Sequence, residues 1–248
     1  MEKKMKKVFR PSLLFLIIPA FILIGMIIAI LFYTGILWFV HPAWFGSYIY
    51  GIDVSHHQGE IDWSLVKKGP HRFVIIKATE GDDFVDDRFA QNWAEAQRNH
   101  LVVGAYHFYS LRFSGQVQAE NFCRTVPYVE GMLPPVIDLE YGGNSKIRPE
   151  REEFWKELET FIEIVKKKYG RPPLFYVTYQ FYKDYIREEY DYYDIWIRDI
   201  FKYPDKSVIK KWTIWQYKHR GHVKGIKGYV DLNVFNGNEE AFQKYLID

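Results

Sequence analysis

The feature that most constrains the fold is a series of eight short runs rich in β-branched and aromatic residues. They fall at 49–54, 73–79, 101–108, 134–140, 173–179, 193–198, 212–217 and 228–234. Runs of this length and composition read as strands. Helical patterns separate the early ones. Residues 86–99 place Phe89, Trp93 and Ala96 on one stripe, 114–125 open on a candidate Ser cap, and 180–188 form a weaker helix. Residues 149–168 carry Phe154, Leu158, Phe161 and Val165 on one face and stop at Gly170. Strand and helix in alternation call for parallel strands with crossovers. Later connections shorten, so the predicted architecture is an irregular, flattened β/α barrel of the TIM-like kind, with eight strands and about five helices. An open doubly wound sheet is the alternative.

Ahead of the barrel lies a segment of different composition. Residues 1–10 hold five Lys/Arg against one Glu, and Ser12–Val40 is uncharged and mostly apolar. About 20 apolar residues span a bilayer, and the lysines precede the stretch. The positive-inside rule then predicts a cytoplasmic basic tail at 1–11, a transmembrane signal anchor at 12–40 and a short linker at 41–47. A catalytic domain at 48–248 follows, outside a cell membrane crossed once. A cleaved signal peptide is the competing reading, but the apolar run is too long and lacks a small-x-small site.

Charge narrows the function. The formal net charge of +2 becomes −2 without residues 1–10, so the basicity belongs to the tail and no nucleic-acid footprint is expected on the domain. Cys123 is the only cysteine, which excludes an intrachain disulfide and a Cys-based zinc site. His56, His57 and His107 do not complete a metal-ligand spacing, no GxGxxG or GxxxxGKS segment offers a nucleotide site, and no GxSxG supports an esterase. Neither metal nor cofactor is expected, and the domain is expected to be monomeric.

What remains is acidic. Asp53, Asp138, Glu140 and Asp231 sit at the ends of predicted strands in YIYGIDVS, LPPVIDLE and KGYVDLNVF. In a β/α barrel, catalytic groups come from strand ends at one face. Closure makes the first and last strands neighbours, so Asp53 and Asp231 should be adjacent, with strand four across from them. The spacing of Asp138 and Glu140 puts both on one strand face, roughly 6–7 Å apart along the backbone. Crowding and burial should raise at least one pKa, as general acid chemistry on a glycosidic bond requires. The plain alternative is that these acids cap loops or pair with Lys77, Arg198 or Lys211. Tyr106, Tyr176, Trp196 and Gln216 lie near the same strand ends, where rings and amides can meet sugars or simply line a core.

Together these segments carry a resemblance. GIDVSHHQGEIDW, FVIIKATEG, GAYHFYS, PPVIDLE, FYVTY, IWQY and VDLNVF, in that order over about 49–236, resemble the Chalaropsis-type lysozymes of glycoside hydrolase family 25. The resemblance implies a flattened barrel short of some helices and hydrolysis of the β-1,4 bond between N-acetylmuramic acid and N-acetylglucosamine. Peptidoglycan glycan strands are then the partner. It implies Glu140 as proton donor, Asp138 as the acid that stabilises or orients an oxazolinium, and Asp53 and Asp231 as polarising groups. It also places Tyr106, Tyr176 and Trp196 against the sugar and acetamido group, with net retention. The residues after Trp196, IRDI, depart from the family's usual alanine and tyrosine. A membrane-tethered glycan-binding module, or a hydrolase of another N-acetylated polysaccharide, are the readings left open by the residues alone.

Overall fold

The computed structural model describes residues 14–247, with side chains from residue 17 onward. It divides into two compact units, the first ending at Trp38 and the second running from Phe39. The basic tail expected at 1–11 lies outside the described residues.

The first unit contains one helix, α1 (Leu14–Tyr33), with Pro19 inside it. Among the described residues no helix is long and apolar enough to cross a membrane. The expected transmembrane anchor at 12–40 is therefore corrected, and with it the membrane as a partner, the single-pass topology and the placement of the catalytic domain outside a cell membrane. The sequence argument counted the whole uncharged stretch as one span. The helix instead stops at Tyr33, Gly35 adopts a left-handed φ of 71°, and Phe39 and Val40 belong to the second unit.

The second unit is built on nine strands: β1 (Ile49–Val54), β2 (His71–Glu80), β3 (Phe84–Val85), β4 (Val102–Phe108), β5 (Val136–Leu139), β6 (Leu174–Val177), β7 (Ile195–Arg198), β8 (Ile214–Gly221) and β9 (Val230–Phe235). Eight close into a barrel, β1-β9-β8-β7-β6-β5-β4-β2, with β2 returning to β1. The two-residue β3 forms a small antiparallel pairing with the end of β2. All neighbours in the barrel are parallel except β9, which runs antiparallel to both β8 and β1. An eight-residue link (222–229) cannot carry a crossover helix, so β9 must return as a hairpin. Apart from the expected membrane span, the predicted barrel stands.

Six helices accompany these strands: α2 (Trp63–Lys67), α3 (Phe89–Arg98), α4 (Gly115–Thr125), α5 (Arg151–Tyr169), α6 (Tyr179–Phe181), which continues into a π turn through Ile186, and α7 (Glu239–Tyr245). These six stand against about five expected for the barrel, and with α1 the described residues hold seven helices. The two without a sequence forecast, α2 and α7, are only five and seven residues long. The Ser114 cap is present, its side chain accepting from the Val117 N–H. Gly170 ends α5 in the left-handed region, where a side chain would be strained.

Side-chain alternation sorts the strands into an inner and an outer face. Phe73, Ile75, Val136, Leu174, Trp196, Ile214 and Phe235 pack together with Phe242 and Leu246 from the C-terminal segment. Phe73 and Phe235 lie at the strand ends remote from the acids, so α7 seals that end through Phe242. Gly51 lets the Phe73 ring into this core, since a Cβ at Gly51 would overlap the ring. Leu139, Ile52 and Val54 point the other way and are buried against the outer layer.

No crossover helix lies between β7 and β8 or between β8 and β9 among the described residues. The chain ahead of β1 covers that gap. His41 packs edge-on to Tyr217, Phe45 contacts Trp215 and Tyr203, and Tyr48 meets Trp212, with ring centroids 4.5–6.2 Å apart. Trp215 and Tyr217 flank the inward-facing Gln216, so they present the outer face of β8 to residues 39–48.

Candidate active site

The acids meet because one strand is reversed. Asp53 is next to last on β1, and its register partner across the ladder is Asp231, second on β9. A parallel β9 would have carried Asp231 to the sealed end of the barrel. Asp138 is flanked in register by Phe108 on β4 and Tyr176 on β6. Glu140 lies just past the end of β5 on the same face. The following loop stays close to it, since a Cβ at Gly142 would sit 3.6 Å from the Glu140 carboxyl atoms.

All eight residues singled out in the sequence line one cavity of about 510 Å³: Asp53, Asp138, Glu140, Asp231, Tyr106, Tyr176, Trp196 and Gln216. Gly142, Thr178, Arg198 and His219 complete the lining. Thr178 and Arg198 stand two residues beyond Tyr176 and Trp196. The period of two that located Glu140 from Asp138 would have found Thr178, while Arg198 already stood out in IRDI as a departure from the family pattern.

Asp53 is held by a converging network. Gln216 Nε2 donates to its Oδ2 at 3.2 Å and Asn233 Nδ2 donates to the same oxygen at 2.7 Å. Each amide is oriented in turn by an aromatic donor. Tyr176 O–H donates to Gln216 Oε1 at 3.0 Å, and Trp196 Nε1 donates to Asn233 Oδ1 at 2.9 Å. The polar atoms of Tyr176 and Trp196 are thus engaged inside the protein, and it is their rings, packed edge to face at 4.7 Å, that border the cavity. Asn233, fully buried, is absent from the sequence reading although it follows Asp231 by two positions in VDLNVF.

Burial raises the pKa of every acid in the set. Asp53 is pushed up to about 6 by desolvation, opposed by the Asn233 and Gln216 donors and by the charge of Arg198. Asp138 is raised well above the ordinary carboxylate range by burial and then by the charges of Glu140 and Asp53, against the pull of Lys77. Its Oδ1 is buried without a hydrogen-bond partner. Glu140 is raised by burial and by Asp53, with Arg198 opposing. Asp231 is likewise raised, by burial and then by Asp53. Four acids in one desolvated space hold protons that isolated acids would release. None of the four makes an ion pair within the described residues. The pairing with Lys77, Arg198 or Lys211 weighed from sequence therefore does not form.

The histidines have other work. His107 is buried on the outer face of β4, 2.8 Å from Thr79 Oγ1 and 3.2 Å from Gln118 Oε1, and burial lowers its pKa to about 3. His56, Asp86 and Asp87 bring potential ligand atoms within 4.8 Å of one another. Asp86 is already committed, however. Its Oδ2 accepts from the His56 N–H and lies 2.8 Å from His56 Nδ1, while Oδ1 accepts from the Arg88 N–H. That carboxylate fastens the turn after β1 to the approach of α3. Cys123 is half-buried on α4, and burial raises its thiol pKa, the opposite of what a nucleophile needs.

Comparison with known proteins gives concordant matches. The model for glycosyl hydrolases family 25 matches residues 52–226. A solved family 25 glycosyl hydrolase from Bacillus anthracis superposes with a TM-score of 0.79 at 42% identity, covering 85% of this chain and 98% of that one. An uncharacterized protein of Escherichia coli K12, YegX, is 36% identical over 203 residues, 80% of this chain and 73% of the relative. Lysozyme M1 of Streptomyces globisporus is 32% identical over 212 residues, 77% of this chain and 69% of the relative.

Proposed function

The chain belongs to glycosyl hydrolase family 25, and from that footing we propose that it cleaves the β-1,4 bond between N-acetylmuramic acid and N-acetylglucosamine in peptidoglycan. It is a lysozyme-like glycoside hydrolase. The observation that carries the substrate and the division of roles is the convergence of four proton-retaining carboxyls on one cavity bordered by aromatic rings.

Glu140 is the acid. Burial raises its pKa above the ordinary glutamate value, so it holds its proton to higher pH and can transfer it to the glycosidic oxygen as the bond to the anomeric carbon breaks. The substrate's own acetamido carbonyl attacks that carbon and forms an oxazolinium. Asp138, on the cavity wall, accepts a hydrogen bond from the acetamido N–H. Gaining a donor there favours the ionised form of Asp138, which then faces the positive charge of the oxazolinium. Glu140, now a carboxylate, takes a proton from water as that water opens the ring at the anomeric carbon. Two displacements at one carbon leave its configuration retained.

Asp53 and Asp231 act on the opposite wall. Asp53 raises Asp138, Glu140 and Asp231 by charge and is fixed in place by Gln216 and Asn233, while Asp231 polarises from its register position beside it. Tyr106, Tyr176 and Trp196 offer ring surface to the sugar.

Glu140→Gln keeps the shape and removes the transferable proton. Release of reducing ends from purified peptidoglycan should fall roughly 10²–10⁴-fold with the thermal melt unchanged, and full residual activity would falsify the assignment. NMR of the first product formed should show the β-anomer at the new reducing end. An initial α-anomer rejects retention.

A further inference from the structure

Arg198 is a charged cavity residue that acid catalysis leaves without a task. It ends β7 on the same face as Trp196, and its register partner on β8 is Gln216, the amide that holds Asp53. Its charge lowers the proton affinity of Asp53, Glu140 and Asp231, which places the guanidinium within electrostatic reach of three acids on three different segments. Among the described residues it nevertheless forms neither an ion pair nor a side-chain hydrogen bond.

The contrast is Lys77, the other cation close to the acids. Its Nζ lies 2.7 Å from Glu80 and rests against the rings of Phe84 and Phe108. Lys77 is a satisfied structural charge. Arg198 is half-buried and lines the cavity. A guanidinium carries five N–H groups in a planar fork that matches a carboxylate. Had the side chain served only to neutralise the acids, direct contact with one of them would be the favoured outcome in so desolvated a place. The cavity is therefore two-sided, with proton-holding acids on β1, β5 and β9 and an unengaged fork on β7.

We propose that Arg198 is a specificity-determining residue that holds a carboxylate carried by the glycan, so that the site takes acidic N-acetylated sugars in preference to neutral ones. This rests on the hydrolase reading for where the sugar lies, but not on turnover. Muramyl sugars carry such a group on their lactyl ether, either free or, when a stem peptide is amide-linked there, further out on the peptide. N-acetylglucosamine polymers carry neither. Pairing with the ligand also neutralises Arg198, which withdraws its opposition to the proton on Glu140. An acidic substrate thereby reinforces the acid form that its own cleavage requires.

The test is calorimetric binding to the full chain carrying Glu140→Gln, which prevents turnover. The probes are three matched oligosaccharides of alternating N-acetylglucosamine and muramyl units: one with free lactyl carboxylates, one with these reduced to alcohols, and one with stem peptides attached. With Arg198 present, the free-carboxylate oligomer should bind about tenfold more tightly than the alcohol, as one charge-assisted hydrogen-bond pair allows. Adding Arg198→Gln should collapse that ratio to within about twofold while the alcohol's affinity stays unchanged. Arg198→Lys, which keeps charge but loses the fork, should fall between and serves if the glutamine disturbs folding. If the peptide-bearing oligomer alone depends on Arg198, the carboxylate is the peptide's. An equal loss for all three probes, or no preference in the Arg198 protein, overturns the proposal. Wild-type protein that fails to release reducing ends but keeps the Arg198-dependent ratio would sink the hydrolase reading and leave this one standing.

Discussion

Replacing Asp53 with Asn should make the protein more stable while disabling its site, and the gain should depend on pH. Asp53 ionises at about 6 in the folded chain against an ordinary 3.8. A carboxyl that binds its proton more tightly when folded contributes its full share to stability below about 3.8, and loses that share as pH rises through about 6. Raising the pKa that far costs roughly 3 kcal/mol once both folded and unfolded states are ionised. Asparagine is close to isosteric, and its carbonyl can still accept from Gln216 and Asn233, so the network survives. It does not titrate. Stability of Asp53→Asn relative to wild type should therefore climb between pH 4 and pH 7 by roughly 3 kcal/mol, or about 6–12 °C in Tm for a domain of this size. Any fixed effect of the amide cancels in that difference. The charge of Asp53 also raises Asp138 and Asp231, so its removal adds to the gain rather than offsetting it. Urea titrations of both proteins at pH 4, 5, 6, 7 and 8 measure the curve. A difference that stays flat with pH, or one that shrinks toward neutrality, refutes burial as the cause of the raised pKa.

Asn233→Ala removes the shorter of the two donors to Asp53 and leaves Trp196 Nε1 without an acceptor. The Asp53 titration should move above 6, readable by carboxyl ¹³C NMR, and stability should drop by about 1–3 kcal/mol; an unmoved titration would show that Gln216 alone sets it. Activity should decline on the alkaline side as Glu140 loses its proton, and Arg198→Gln, which removes an opposing charge, should carry that limb to higher pH. A limb displaced toward acid would contradict the assigned sign. Gly115→Ala would drive a methyl into the Glu157 carbonyl where α4 meets α5, costing about 1–3 kcal/mol by overpacking. A urea midpoint equal to wild type would show that the two helices can part.

The barrel was legible because its strands are short, apolar and β-branched while their connectors are not. VIDL, LFYV and IWIR each appear in the ladder within the predicted runs. Closure alone made the first and last strands neighbours, but Asp231 meets Asp53 only because β9 is reversed. That direction was less accessible, since composition does not distinguish a parallel strand from an antiparallel one; the short link before β9 was the available clue. Asn233 escaped because an amide in an apolar run attracts less notice than an acid, although it obeys the same alternation. The roles of Tyr176 and Trp196 as anchors of the Asp53 network depend on which way two amides point, which only coordinates can say. The N-terminal segment misled for a different reason: absence of charge measures how far a stretch can extend in lipid, not where its helix stops.

Residues 39–48 line the outside of β8, β1 is zipped to β9, and α7 closes the base. In each case an early part of the barrel domain meets a late one. The polypeptide therefore leaves the ribosome with its first strand waiting for a partner made about 180 residues later. Contacts so distant along the chain slow folding, because their loop-closure entropy is lost before any of them forms. During that interval the flank of β1 meant for β9 is an open strand edge available to other chains. Chains stalled before residue 230 should accumulate as aggregates rather than as partial barrels, and chaperone demand should fall sharply once the last strand emerges.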